Sequence, residues 1–408
     1  MTEQQGEASP VSGPLAGVRV VELGLWLAAP ACASILADWG ADVVKIEPLG
    51  GDPFRGLAWA YGGDMNPPFE LDNRGKRSIA MDLRTEGGQD VLWALLSNAD
   101  LFVTNYRPGG LERLGLDWPT VHVRLPQLIY GSITGYGLDG PERDRASYDM
   151  GAYWGRAGVA AALTPPGGDL PYQRGGFGDH LTGMSLAGGL SAALFARQRT
   201  GVGQLVSTSL LRAGMYQMGA DLNTSLRTGW PTLAASIRSV ANPLLTGYRC
   251  ANEEWIWLLG LEGDRHWPNI ATALELDHLR DDGRFATMEG RRDHAAEVTA
   301  TLQERFGSKR RAEWGQRLDA AGVWWAKVQH AHELIDDEQA HAAGGFVDVP
   351  VSDGTVAQMV ATPVDFSGHS RFTERATPEL GQHTELVLLE LGWQWERIEA
   401  LKQAGAIL

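Results

Sequence analysis

What the chain has least of narrows its chemistry first. It carries two cysteines, Cys32 and Cys250. Both lie in apolar surroundings and neither belongs to a CxxC pair, so no zinc site or disulfide framework is implied. Basic residues are outnumbered, with 35 Lys and Arg against 50 Asp and Glu for a net charge of −15. That argues against nucleic acid as a partner, because binding a phosphate backbone needs a dominant basic field. A small anionic ligand answers instead to a local cluster of cations. Long hydrophobic runs are missing as well. Residues 23–37 are apolar but broken by Gly24 and Pro30, and they are too short to span a bilayer. Residues 1–14 are polar and acidic, unlike a signal peptide. A cytoplasmic, reducing setting with no membrane partner is expected. The dinucleotide fingerprint GxGxxG is absent too, since the turn after the first expected strand reads Gly24-Leu25-Trp26-Leu27-Ala28-Ala29. With no P-loop, HExxH or GxSxG motif either, oxidoreductase and NTPase readings lose their basis.

What is present is enough for a large core: 408 residues, 44% of them hydrophobic, suggest two domains. Residues 18–23, 42–46, 101–104 and 127–133 read as strands, and 31–39, 85–98 and 110–115 as helices between them. This alternation predicts a parallel sheet covered by helices. A long helix is expected over 181–199, with Leu186, Leu190 and Leu194 on one stripe. Its Gly188, Gly189, Ala192 and Ala193 would admit a second backbone. Periodicity breaks after 224, at Gly229, Pro231 and Pro243. A mixed unit follows, with a strand at 255–259 and helices at 298–306 and 311–321. The chain then returns to strand from 346 and to helix at 384–391. The expected division is a large α/β domain begun by 14–224, a linker and small domain over 225–330, and a return to the large domain over 331–408.

Three segments could carry chemistry. Asn73-Arg74-Gly75-Lys76-Arg77-Ser78, continued by Arg84, is the densest basic run. It reads either as a solvated turn or as a phosphate cradle. Asn105-Tyr106-Arg107-Pro108-Gly109-Gly110 follows an expected strand, where α/β proteins place ligand loops. Gly175-Gly176-Phe177-Gly178-Asp179 precedes the long helix. Asp179 would either cap that helix or meet a ligand across a loop stripped of side chains, with the helix terminus keeping its carboxylate ionised and nucleophilic. His266, His330 and His332 lack a third ligand at motif spacing, so no metal is expected.

Together these segments resemble one family, the class III CoA-transferases. It includes formyl-CoA transferase, the carnitine and bile-acid inducible enzymes and the α-methylacyl-CoA racemases. The resemblance begins at Pro14-Leu15-Ala16-Gly17-Val18-Arg19-Val20-Val21-Glu22-Leu23 and continues through Ala29-Pro30, residues 40–47 and Gly51-Asp52-Pro53. Residues 73–83, 105–115, 131–141 and 200–204 extend it, and Leu380-Gly381-Gln382-His383-Thr384 completes it. It implies a Rossmann-like large domain built from both chain ends, a smaller α+β domain, and an interlocked homodimer. It implies Asp179 as catalytic residue. CoA contacts are implied at Trp26, Leu27, Ala28, Arg77, Met81, Asp82, Leu83, Arg84, Asn105, Tyr106, Arg113, Ala146, Ser147, Tyr148 and Asp149. Residue character adds Tyr148, Trp154, Gly176 and Gly178 as an apolar, aromatic-tolerant substrate pocket, with Trp26, Tyr153, Trp324 and Trp325 as further candidates for its lining.

The activity so implied moves CoA from an acyl-CoA donor to a carboxylic acid acceptor, through an aspartyl anhydride and an aspartyl-CoA thioester. Coenzyme A is then a substrate, and no permanently bound cofactor or metal is expected. Backbone N–H groups of the glycine-rich segments are the expected oxyanion donors. Two departures from the family pattern bear on this. The racemase branch places a His before an Asp where this chain has Ser147-Tyr148-Asp149. Tyrosine, with a pKa of about 10, is a poor base there. His180 is no obvious substitute, because neighbouring helix positions do not face each other. Racemase chemistry is therefore the alternative, beside a catalytically silent CoA-binding scaffold. The formyl-CoA/oxalate branch has a long glycine-rich loop where this chain has residues 242–247, and an Arg where it has Pro48.

Overall fold

The computed structural model describes residues 13–63, 65–232, 236, 240–351, 354–369 and 375–408. The polar N-terminal stretch discussed above lies almost wholly outside them. Two compact units emerge, one from residues up to 161 with 171–232 and 341–408, the other from 162–170 and 233–340.

The first unit is organised by six strands: β1 (Arg19–Leu23), β2 (Asp42–Glu47), β3 (Arg77–Ala80), β4 (Leu101–Thr104), β5 (Ile129–Thr134) and β6 (Leu205–Ser209). Their order is β3-β2-β1-β4-β5-β6, and every pairing is parallel. Central strands buried on both faces read as continuous apolar runs, which is why β1, β2, β4 and β5 stand out in the sequence. The edges do not: β3 opens on an arginine, and β6 is a half-buried Leu-Val-Ser-Thr-Ser.

Helices α1 (Ala28–Asp38), α2 (Pro67–Asn73), α3 (Glu86–Ser97), α4 (Pro108–Leu114), α5 (Trp118–Arg124), α6 (Val159–Ala162), α7 (Phe177–Thr200) and α8 (Leu210–Gln217) follow in order. Alternation along β1 sends Val20 to one face and Val21 to the other. On the first face Val20, Val43 and Ile129 meet Cys32 and Leu36 of α1 and Leu186 and Leu190 of α7. On the second, Val21, Val44 and Phe102 meet Val91, Leu92 and Leu95 of α3. Val387, Leu388 and Ile398, from the C-terminal helices Thr384–Glu390 and Trp395–Gln403, join that second core. The close backbone approach expected on α7 occurs at a different glycine. A Cβ on Gly183 would lie 3.0 Å from both Ala28 O and Cys32 N, whereas one on Gly188 would meet nothing.

The second unit has its own core, with Trp267, Phe285, Phe306 and Trp314 packed behind an antiparallel sheet of β7 (Gly247–Arg249), β8 (Trp255–Leu258) and β9 (Trp325–Val328). Within this unit Trp325 donates its indole N–H to Asp319, and Trp324 lies against His266.

From 73 to 78 the basic run is neither a solvated turn nor an open cradle, because each cation there is taken by an acid. Arg74 reaches Asp38 at 2.7 Å, Lys76 reaches Glu22 at 2.7 Å, and Arg77 divides its guanidinium between Asp42 and Glu390. The deepest part is a chain of charges with no exposed side-chain surface. Glu22 on β1 is in register with Lys45 on β2, and the Lys45 ammonium donates to Glu22, to Gly24 O and to Asp52, each at 3.0 Å. Burial lowers the Lys76 ammonium to about 8 although Glu22 pulls it up. Lys45 behaves oppositely: burial opposes its charge, but Glu22 and Asp52 outweigh that and hold its pKa above the ordinary lysine value. Removing one partner of a buried ion pair strands the other. Lys45→Met is therefore expected to cost about 3–5 kcal/mol, read as a lowered midpoint in urea denaturation. A wild-type midpoint would show that the network does not contribute to stability.

Candidate active site

The turn from β1 into α1 is set by side chains far along the chain. Asn105, just past β4, accepts from Leu25 N at 3.1 Å and donates to Leu25 O at 2.7 Å. Asp52 accepts from Trp26 N at 3.2 Å and from Phe54 N at 3.0 Å. Between these clamps Trp26 takes φ 64°, a left-handed conformation that a bulky residue adopts only when its surroundings impose it. Its ring meets Tyr148 edge-on at 5.4 Å and lies 6.0 Å from Phe54. Asn105, expected to touch CoA, thus shapes the turn that presents Trp26.

Strand order reverses between β1 and β4, and α/β proteins bind ligands outside the carboxyl ends of strands at such a point. A pocket of about 330 Å³ lies there, lined among others by Leu23, Pro48, Met81, Leu83, Arg84 and Tyr106. Met81 is buried, while Arg84 is 86% exposed and paired with Asp82 at 2.8 Å. Met81 also forms an isolated antiparallel bridge with Ile407, which brings the last residues of the chain beside this segment. Arg113 and Ala146 are exposed, and Ser147 is half-buried.

The glycine-rich segment leads into α7. Gly176 occupies the cap position with φ 98°, and Asp179 stands in the first helical turn rather than at the cap. The loop is held by Asp149 at the start of a π-helical stretch (Met150–Arg156). One carboxylate oxygen of Asp149 accepts from Gln173 Nε2 at 2.7 Å, Gly176 N at 3.0 Å and Gly178 N at 3.2 Å. These two amides, expected as oxyanion donors, are therefore engaged. Asp149 is buried and acts as a brace for this loop. Gly178 is dictated by packing, since a Cβ there would lie 2.6 Å from Tyr153. Trp154 is half-buried and donates its indole N–H to Pro171 O at 3.2 Å.

Asp179 itself is 8% exposed. Burial, then the negative charges of Asp149 and Asp72, push its carboxyl up to about 8, with His180 opposing. The expectation that the helix terminus would keep it ionised is overturned by magnitude. A helix N-terminus is worth about 0.3–1 kcal/mol at exposed positions, too little against desolvation of a carboxylate. His180 turns to α2, where its Nε2 lies 3.0 Å from Asp72 Oδ1. Sequence reasoning did not single out Asp72 or Gln173, which reach the site only through the fold. Asp52 was visible within Gly51-Asp52-Pro53 but without a role.

A doubly wound parallel sheet with a pocket at its switch point and a buried carboxylate on a glycine-rich helix start define an α/β fold of the ligand-binding kind. Residues 15–384 match CoA-transferase family III, and the chain belongs to that family. It is 33% identical over 397 residues to the (R)-2-hydroxy-4-methylpentanoate CoA-transferase of Clostridioides difficile, covering 96% of this chain and 99% of that one. Identity to the cinnamoyl-CoA:phenyllactate CoA-transferase of Clostridium sporogenes is 31% over 398 residues, covering 96% and 97%. The crystal structure of a CAIB/BAIF family protein from Brucella suis superposes with TM-score 0.81 at 30% identity, covering 93% of this chain and 99% of that chain.

Because the fold favours the neutral Asp179 carboxyl, its contribution to stability is complete below the ordinary aspartate pKa of about 3.9. That contribution is lost as pH rises through about 8. Asp179→Asn keeps the neutral shape. Its denaturation midpoint is expected to fall less than wild type's between about pH 5 and about pH 9. Equal slopes would show a carboxylate ionised throughout that range.

Proposed function

We propose that this CoA-transferase uses Asp179 as a covalent nucleophile, moving CoA from an acyl-CoA donor to an acceptor acid. The observation that carries this reading is the buried Asp179 carboxyl, with no hydrogen-bond partner among the described residues, at the braced start of α7. A raised pKa makes a carboxylate more basic, and so more nucleophilic, once it loses its proton. Its attack on the donor thioester expels CoA thiolate and gives an aspartyl-acyl anhydride. The thiolate then attacks the aspartyl carbonyl, releasing the donor acid and leaving aspartyl-CoA. The acceptor carboxylate takes the acyl position in turn, and the same two exchanges run in reverse. No step needs a net proton or electron.

The pocket at the carboxyl ends of β1, β2 and β4 suits the nucleotide end of CoA. Met81, Asp82, Leu83, Arg84 and Tyr106 contribute to it, and Trp26, Leu27, Ala28 and Arg113 are further contacts that family membership supports. Arg77 opens β3 at its amino end, where Asp42 and Glu390 hold it, and is not among the residues lining this pocket. Trp26, Tyr148 and Trp154 favour an apolar or aromatic acyl group, in keeping with the substrates for which the two relatives above are named. Family membership also supports an interlocked homodimer, and a division into a large domain of 14–224 with 331–408 and a linker and small domain of 225–330. The racemase alternative gains nothing at residue 148, where the tyrosine is exposed.

Intact-mass spectrometry with a panel of acyl-CoAs tests the reading. Wild type is expected to gain a hydroxylamine-sensitive acyl or CoA adduct that Asp179→Ala lacks. Its formation should slow progressively as pH drops below about 8, following the fraction ionised. Absence of any adduct, together with Cα-deuterium exchange in labelled water, would replace this reading with racemase chemistry.

A further inference from the structure

Asp179 is surrounded by negative charge. Asp149 and Asp72 both act on it, and among the described residues that shift its titration His180 alone is a cation. Lys76 also feels Asp72, but its ammonium is fully buried and committed to Glu22, Pro30 O and Asn73. Transfer nevertheless requires a second anion, the acceptor carboxylate, to enter this place and reach the Asp179 carbonyl. Some positive charge must receive it.

His180 is built for that task in three respects. Its Nε2 is fixed by Asp72, whose side chain is 3% exposed, so the ring cannot turn away. Its own side chain remains 46% exposed. Its Nδ1 has no hydrogen-bond partner among the described residues and faces the glycine-rich loop. A Cβ on Gly176 would come within 3.4 Å of Nδ1 and 3.2 Å of Cε1, so the glycine leaves that edge of the imidazole open. An imidazolium donates from both nitrogens, one to Asp72 and the other to a ligand.

We propose that His180, held by Asp72, is the residue that receives the acceptor carboxylate and directs it at the Asp179 carbonyl. This rests on the reading of Asp179 as nucleophile. In the step concerned, an acceptor oxygen bonds to the Asp179 carbonyl carbon of aspartyl-CoA and the carbon–sulfur bond breaks. The thiolate that leaves then attacks the acceptor's carbonyl in the mixed anhydride and frees the Asp179 carboxylate. His180 donates a hydrogen bond throughout and keeps its proton. In the free enzyme burial draws the ring's pKa down, but Asp72 on α2, then Asp179 on α7 and Asp149, outweigh burial and raise it; once Asp179 is a thioester its charge is gone and Asp72 and Asp149 remain.

The test separates the two half-reactions of a ping-pong enzyme. In the aspartyl-CoA form Asp179 is a thioester and does not titrate, so kcat/KM for the acceptor reports on His180 without it. His180→Gln is expected to lower acceptor kcat/KM about tenfold or more, the range for a lost charge-assisted hydrogen bond. The donor's first step, formation of the acyl anhydride with release of CoA thiolate, involves no free carboxylate acceptor and should stay within about threefold of wild type. Wild-type acceptor kcat/KM should fall as pH rises past the imidazole's titration, while the variant's should be flat. Unchanged acceptor kcat/KM would overturn the proposal. So would a loss that acyl-anhydride formation shares equally, since that marks a general disturbance of the α7 start. If wild type forms no adduct at all, the nucleophile reading fails first, and the two failures are told apart.

Discussion

A lysine without water decides where the front of the molecule lies. Lys45 sits between β1 and β2 with its ammonium shared by Glu22, the Gly24 carbonyl and Asp52. A buried cation tolerates little displacement, because losing any one acceptor leaves the remaining charges poorly compensated. The consequence spreads outward. Asp52 spends its other oxygen on Trp26 N and Phe54 N, so the depth of the ion network sets the height of the Trp26 turn. Lys76 extends the network to Pro30 O and Asn73, which ties the beginning of α1 to the end of α2. The same α2 carries Asp72, the partner of His180. Core and site are thus joined by one continuous set of hydrogen bonds.

Around Asp179 the balance is different in kind. The protein withholds compensation from this carboxyl: its amide neighbours serve Asp149, and the nearby imidazole serves Asp72. An ion-paired carboxylate would be a weak nucleophile held below the usual range, as Glu47 is. Burial raises Glu47, but Arg55, Lys45 and Ser78 bring it down to about 2. Two carboxylates in one unit therefore sit at opposite extremes, one stabilised as an anion for structure and one left as a neutral acid poised to ionise.

The sheet was legible wherever burial on both faces wrote an apolar run, as in Leu-Phe-Val-Thr of β4. It was obscure where a strand's first residue is an ion-paired arginine, as in β3. The carboxylate Asp179 was visible because its glycines are a local signal, and the family resemblance points by position to the same residue. Its electrostatic state was not legible, since Asp149 and Asp72 are 30 and 107 positions away in sequence and their proximity is a product of folding. The same holds for Asn105, whose asparagine pointed to a loop but not to its hold on Leu25. Local chemistry survives in a single sequence; charge compensation is a property of contacts and does not.

The C-terminal helices have a temporal consequence. Val387, Leu388 and Ile398 cover a sheet face whose six strands are complete by Ser209. At translation rates of about 5–20 residues per second, roughly ten to forty seconds separate the synthesis of the last strand from that of its cover. During that interval α3 is already available to this core, and only the share that the C-terminal helices contribute is missing. Vectorial synthesis thus leaves the last part of this core to be closed only when the chain is nearly complete, a consequence written in the order of its elements.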